Sequence, residues 1–439
     1  MKIELGFREH WPEWMHLFLL GCLSPLFLFP SLQTIWIVFL FPLFWIFILI
    51  SRGRLFGRTF FDIPIVILLL QVLATCFLVP DLAFSLPKIT GVMFGVLTFY
   101  VLSALLVSKD LLKLGIFVYI FSGVIFAGFG ILGVSWDYDS LVFSIARLFG
   151  INLTKTVFTR KIIPALESVI PRIKLDLPGA EEGFNGNAIG GALLLVIPLA
   201  LVFFLSYLRR NRPTQHISQS KVVPWILVFA LLIFTGVLFL SLSVVSWAAL
   251  AISIWILVLS KKAKTVTAVV LAVCLIGIVI FMPKQVSSIS DEIRADLDPE
   301  KIEHRLKWWG IGWETIKEYP VFGIGMNRIR LHPEIGYERS HLHNHFLHTA
   351  AELGLPALLA YLSLLVVAGC LCIKVWRASS GWMKTAALGL GCGQLAHLLF
   401  GLIDSIPLGA KVGIFFWVSL SLIAALFHVH KEKSDPDVS

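Results

Sequence analysis

Between Ser340 and His348 the chain reads Ser-His-Leu-His-Asn-His-Phe-Leu-His, followed by Thr-Ala-Ala-Glu352-Leu-Gly354-Leu-Pro356. Imidazoles, an amide and a carboxylate thus crowd the point where a polar stretch turns into a long apolar run. A neutral imidazole takes a proton from a hydroxyl near neutral pH, so one of these histidines could act as a general base. Two other readings stand beside that one. His341, His345, His348 and Glu352 are spaced by four, three and four residues, which makes one stripe if the segment is helical, and zinc accepts that ligand set. No H-E-x-x-H motif supports it. The histidines could instead anchor a membrane span at its interface, which is the expectation for His345 and His348. Cationic partners for a phosphate are available in Arg147, Arg160, Arg172, Arg305, Arg328, Arg330 and Arg339. A guanidinium keeps its charge and donates two parallel hydrogen bonds to such a group. His397 and Asp404 fall within or at the end of an apolar run, where ionisable groups are functional candidates; Asp404 could equally pair with Lys411.

The elements that must position these groups are membrane helices. Apolar residues make up 58% of the 439 and charged residues only 14%, which excludes an ordinary soluble domain. Apolar runs near 14–31, 34–50, 60–79, 89–107, 112–134, 187–208, 223–241, 243–260, 265–282, 348–373, 383–403 and 409–427 predict an all-α polytopic membrane protein of about twelve spans. Basic residues then assign the sides. Arg52/Arg54/Arg58, Lys109/Lys113, Arg209/Arg210/Arg212, Lys261/Lys262/Lys264 and Lys374/Arg377/Lys384 occupy alternate connections, with Lys2, Arg8, Lys431 and Lys433 at the ends. By the positive-inside rule both termini are cytoplasmic. This topology absorbs the net charge of +9 and leaves no reason to expect nucleic acid. The six cysteines lie in or beside apolar runs, with neither disulfide nor zinc spacing. No cleavable signal peptide is expected, because Met1–Glu13 is polar and no small-residue cleavage site follows.

The expected organisation is spans 1–5 over 1–134, a first outer loop over 135–186, spans 6–9 over 187–282, a large outer loop over 283–342, and spans 10–12 with the tail over 343–439. In the large loop, Asp298-Pro299-Glu300 is a helix start. Ile302, Leu306, Trp309, Trp313 and Ile316 recur at helical spacing, with Arg305 off that stripe, and Tyr319-Pro320 ends the helix. Such a helix either lies along the outer membrane interface or packs like a soluble one. The following Phe322-Gly323-Ile324-Gly325 turn either brings backbone amides to an anion or is an ordinary tight loop.

These residues resemble the O-antigen ligase and polymerase superfamily, membrane glycosyltransferases that use polyprenyl-diphosphate-linked glycans. His343-Asn344, nine residues, Gly354, Leu355-Pro356 and Ala357 match the family's His-[Asn/Ser/Gln] pattern except at the last position. Glu352 fits its Glu-x-Gly element. Arg305-Leu306-Lys307-Trp308-Trp309 and Tyr319-Pro320-Val321-Phe322-Gly323-Ile324-Gly325 resemble its Arg…Trp…Pro-x-Phe-Gly-x-Gly segment, and Phe184-Asn185-Gly186-Asn187-Ala188 its Asn-x-x-Ala element. Where the family has Ser-Arg-Gly, this chain has Ser243-Val244-Val245, so valine stands in the place of a diphosphate-binding arginine.

The resemblance implies an enzyme of the bacterial cytoplasmic (inner) membrane with its site on the outer face. It implies His343 as the base, Arg305 on the donor diphosphate, and Arg172, Arg328 or Arg339 as replacements for the arginine missing at Val244. Asn187, Asn344, Glu352 and Asp404 would support them. The implied reaction is transfer of a glycan from undecaprenyl diphosphate to an acceptor hydroxyl, with inversion and with neither metal nor cofactor. Lipid A-core as acceptor makes the enzyme an O-antigen ligase; another lipid-linked chain makes it a polymerase; serine or threonine makes it a protein glycosylating enzyme. A transporter is the alternative from another class, since twelve spans with both ends inside also suit transport. Transporters, however, place polar groups at mid-membrane, whereas here they gather at the outer boundary.

Overall fold

A computed structural model describes residues 11–34, scattered positions in 37–50, and 57–133, 186–210, 222–241, 243–259, 299–335 and 341–434. Among the described residues the chain is helical, without strands. The helices are α1 (Trp11–Leu28), α2 (Asp62–Leu78), α3 (Leu82–Leu105), α4 (Lys109–Gly133), α5 (Gly186–Leu193), α6 (Ile197–Arg210), α7 (Val222–Leu240), α8 (Val244–Leu259), α9 (Pro299–Glu318), α10 (His345–Ala378), α11 (Gly381–Gly401) and α12 (Ile414–Ser434). Each expected span has a described helix except 34–50 and 265–282, which lie wholly or largely outside the described residues. Among the described residues four helical stretches are long and apolar enough to cross a bilayer: Leu82–Leu105, Lys109–Gly130, His345–Ala378 and Lys411–Glu432. The expected span 187–208 is not one straight helix: α5 and α6 meet at 41°. The protein is an integral membrane protein.

Without water in the bilayer there is little hydrophobic drive between helices, so close packing and small residues hold them together. The described bundle follows that rule. Gly95 of α3 lies under the Trp417 indole of α12, and Gly389 and Gly393 of α11 lie against Leu199 and Leu195. α10 sits at the centre, packed by α2, α9, α11 and α12. The connection between α11 and α12 is drawn onto α3, because Gly409, at φ +79, comes directly against the Lys88 carbonyl and Gly91. That connection carries Asp404.

α10 is interrupted at Gly354, with φ 82 and ψ 170 inside the helix. Freed carbonyls around this break are taken by the loop that follows α9. Ile324 donates its backbone N–H to Ala351 O at 3.0 Å, Gly325 to Glu352 O at 2.9 Å, and Leu355 to Pro320 O at 2.8 Å. The glycine-punctuated turn is therefore a tight docking loop: the amides of Ile324 and Gly325 are spent on α10 and do not form an anion cradle. Glu352 adds a side-chain anchor, its Oε1 accepting from Ile329 N at 3.3 Å and its Oε2 facing His348 Nε2 at 3.3 Å.

α9 forms where expected, but its packed face differs from the expected stripe. Trp308, Gly312 and Ile316 are buried, whereas Leu306 and Trp313 are 58% and 55% exposed. Trp308, Ile316, Ile329, Leu342 and Ala350 share one small core. Burial is decided by what α10 offers, and the narrow Gly312 lets the Leu342 side chain come close. Arg305 precedes Trp308 by three residues, so it lies on the packed side of the helix and is half-buried.

Gly354→Ala tests the docked break. A Cβ there would strike the Val321 carbonyl oxygen, and φ +82 disfavours any L side chain. We expect a loss of more than about 1 kcal/mol, read as a lower thermal midpoint of the detergent-solubilised protein. An unchanged midpoint would show that the loop can move away without penalty.

Candidate active site

The histidine segment is held from both sides. Leu342 is fully buried, and its carbonyl accepts from Trp309 Nε1 at 3.1 Å. Asn344 caps α10: its Oδ1 accepts from Phe346 N and Leu347 N, both at 3.0 Å, and its Nδ2 donates to Leu402 O at 3.0 Å. Asn344 thereby caps one helix and ties it to the end of α11. His343 between these anchors adopts φ 51, a left-handed conformation that histidine visits more readily than most residues but that is still uncommon. Its neighbours allow it no other direction, and the ring turns toward the α11–α12 connection.

There it meets Asp404. Asp404 Oδ1 lies 3.2 Å from His343 Nδ1 and 3.1 Å from His341 Nε2, and it also accepts from Ser405 N at 2.8 Å. The side chain of Asp404 is 5% exposed and that of His343 22%. Burial alone raises the Asp404 carboxyl, but hydrogen bonds and charge from the two imidazoles outweigh it and hold the group well below the usual carboxylate range. Burial pushes His341 the other way, below the ordinary imidazole value, with Asp404 only partly opposing it. In the tautomer that donates Nδ1–H to Asp404, His343 keeps the Nε2 lone pair. No described residue hydrogen-bonds that Nε2. Trp308 lies over the ring, centroids 5.4 Å apart and planes 21° apart, and His304 continues the stack at 6.1 Å.

A buried carboxylate orienting a partly open imidazole suits activation of a hydroxyl by proton abstraction. Residues 229–362, which include Arg305, Trp308, His343 and Glu352, match the family model described as O-antigen ligase. Over that stretch, about a third of its length, the chain is similar to the O-antigen ligase family. That family is one of membrane glycosyltransferases. No curated protein matches the chain.

Within this candidate site the expected residues separate into groups. His343, Asn344 and Asp404 come together; Arg305 stands on α9 one turn before Trp308, the residue that stacks on His343. Glu352 lies deeper, at the docked loop. Arg328 is half-buried beside that loop, its backbone N–H reaching Gly325 O at 3.4 Å. Arg330 is buried, with its guanidinium 5.9 Å from the Phe84 ring centre. Asn187 stands in the first turn of α5, and Val244 opens α8. Arg172 and Arg339 lie outside the described residues.

Two expectations are corrected. The His341–His345–His348–Glu352 metal stripe does not form, because α10 starts at His345 and leaves His341 outside the helix. His345 instead faces Ser405 Oγ at 3.3 Å, and His348 faces Glu352. The Asp404–Lys411 ion pair does not form either: the histidines engage Asp404, and the Lys411 ammonium sits 4.1 Å from the Phe29 ring centre. His341 and Trp308 are the site residues that sequence reasoning did not assign to the base. The tandem tryptophans were visible, but not which of them would face His343.

The depressed His341 gives a pH prediction with a definite sign. An unfolded imidazole protonates near pH 6.5 while the folded one resists, so its stabilising contribution is present above that value and is lost as pH falls below it. The thermal midpoint should drop between pH 7.5 and 5, and His341→Gln should shallow the drop. A slope unchanged in that variant would contradict the assignment.

Proposed function

We propose that the protein transfers a glycan from undecaprenyl diphosphate to an acceptor hydroxyl at the outer face of the bacterial cytoplasmic membrane, as an O-antigen ligase-like enzyme. The observation that carries the reading is the pairing of His343 Nδ1 with buried Asp404, which leaves Nε2 available to a substrate. His343 Nε2 takes the acceptor's proton as the hydroxyl oxygen attacks the anomeric carbon. Asp404 holds the tautomer and stabilises the imidazolium that results; the Trp308 face adds attraction for that cation. Arg305 binds the diphosphate and offsets the charge that grows on it as the glycosidic bond breaks. Attack from the side opposite the diphosphate inverts the anomeric centre. A diphosphate is already a good leaving group, so positioning and charge stabilisation suffice and no metal is required.

Lipid A-core is the acceptor we favour; a second lipid-linked chain or a protein hydroxyl would use the same machinery. Arg328, Arg172 and Arg339 are the cations available to make up for Val244. Support for transfer over transport comes from the family match and from the base lying before the first turn of α10.

His343→Gln should lower transfer from a lipid-linked donor in membrane vesicles by about 10²–10⁴-fold, with normal insertion. Near-normal transfer would remove His343 from this role. Val244→Arg should tighten donor binding, and unchanged donor affinity would argue that the diphosphate lies elsewhere. Mass spectrometry of surface glycans and glycoproteins in a deletion strain identifies the acceptor.

A further inference from the structure

His341 Nε2, His343 Nδ1 and Asp404 Oδ1 lie within 4.8 Å of one another. They come from two segments far apart in sequence and share a buried point. Zinc binds imidazole nitrogen and carboxylate oxygen at about 2.0–2.1 Å in tetrahedral geometry, which sets ligand atoms about 3.3 Å apart. The two nitrogen–oxygen separations here, 3.1 and 3.2 Å, are already close to tetrahedral edges. Two neutral imidazoles and one ionised carboxylate form the donor set of a three-ligand zinc site with an open fourth position.

We propose that this triad is a zinc-binding site whose occupancy switches the enzyme off. The ion would replace the shared hydrogen bonds to Asp404, binding His341 through Nε2 and His343 through Nδ1. Each neutral ring then carries its proton on the opposite nitrogen. For His343 that nitrogen is Nε2, so the lone pair that would receive the acceptor's proton is gone. Zinc is thus an inhibitor set by tautomer, and free zinc outside the membrane would restrain transfer. The inhibitory part rests on His343 acting as the base; the binding part does not.

The experiment uses the full-length, detergent-solubilised protein. Cobalt(II) is titrated as a spectroscopic stand-in, and zinc is then added as competitor. We expect one equivalent of cobalt to produce visible bands of tetrahedral type that zinc abolishes. His341→Gln and Asp404→Asn should each remove the bands. His428→Ala/His430→Ala should keep them, since His428 pairs with Glu432 on an exposed helix face and is the obvious adventitious ligand. In wild-type protein, zinc should also shield His341 and His343 from diethyl pyrocarbonate in peptide mass spectra, a readout that needs no variant. Absence of the cobalt bands together with unshielded histidines overturns the site. Bands lost only in the His428/His430 variant overturn it as well. Transfer in vesicles should fall at least tenfold with zinc and recover with chelator. Binding at the triad without inhibition would keep the site but remove His343 as the base, whereas no binding would leave the proposed reaction untouched.

Discussion

One carboxylate oxygen, Oδ1 of Asp404, holds the candidate site together. It accepts from two imidazoles and one backbone amide at once. In doing so it joins the segment before α10 to the connection after α11, two stretches separated by some sixty residues. A buried carboxylate is costly unless it is paired and hydrogen-bonded. The same requirement fixes the rings: once both face Asp404, the His343 backbone must accept its left-handed turn, and its Nε2 is left to point away from the protein's own hydrogen bonds.

The surrounding structure serves that arrangement. Asn344 caps α10 and binds Leu402, so the helix start and the Asp404 connection move as one unit. Leu342 is locked between the Trp309 hydrogen bond and the cleft at Gly312, and Trp308 then lies flat on His343. Lower down, the break at Gly354 exposes carbonyls that the loop after α9 satisfies. An unsatisfied carbonyl within a bilayer is expensive. The break at Gly354 is tolerated because the loop after α9 pairs with the backbone groups around it. α9 is therefore fastened at its middle, through Trp308 and Trp309 to the segment before α10, and past its C-terminal end, through the 320–325 loop near Gly354.

This attachment explains why the expected face of α9 was rotated. Periodicity finds the apolar residues of a helix but does not weigh tryptophan, leucine and glycine against a particular partner. Gly312 scores poorly as an apolar residue, yet it is central to the contact because α10's preceding segment needs its space. With Gly312 counted, the packed line passes through Arg305, Trp308, Gly312 and Ile316. The arginine then stands on that packed line, whereas the apolar stripe read from the sequence left it off.

From the sequence alone, helices at nearly every described span were readable, because about twenty consecutive apolar residues admit no other solution in a bilayer. The start of α9 at Pro299 and the likeness to the ligase superfamily were likewise present in local order. Tertiary structure decided which histidine meets which carboxylate. His341, His345, His348 and Glu352 are well spaced for one stripe, but Asn344 caps a helix that begins at His345, four residues past His341. Lys411 is the nearer charge to Asp404 in sequence, yet an aromatic ring takes its ammonium. Local spacing dictates helices because their hydrogen bonds are local; partners across sixty residues depend on how separate helices pack, and no short pattern encodes that.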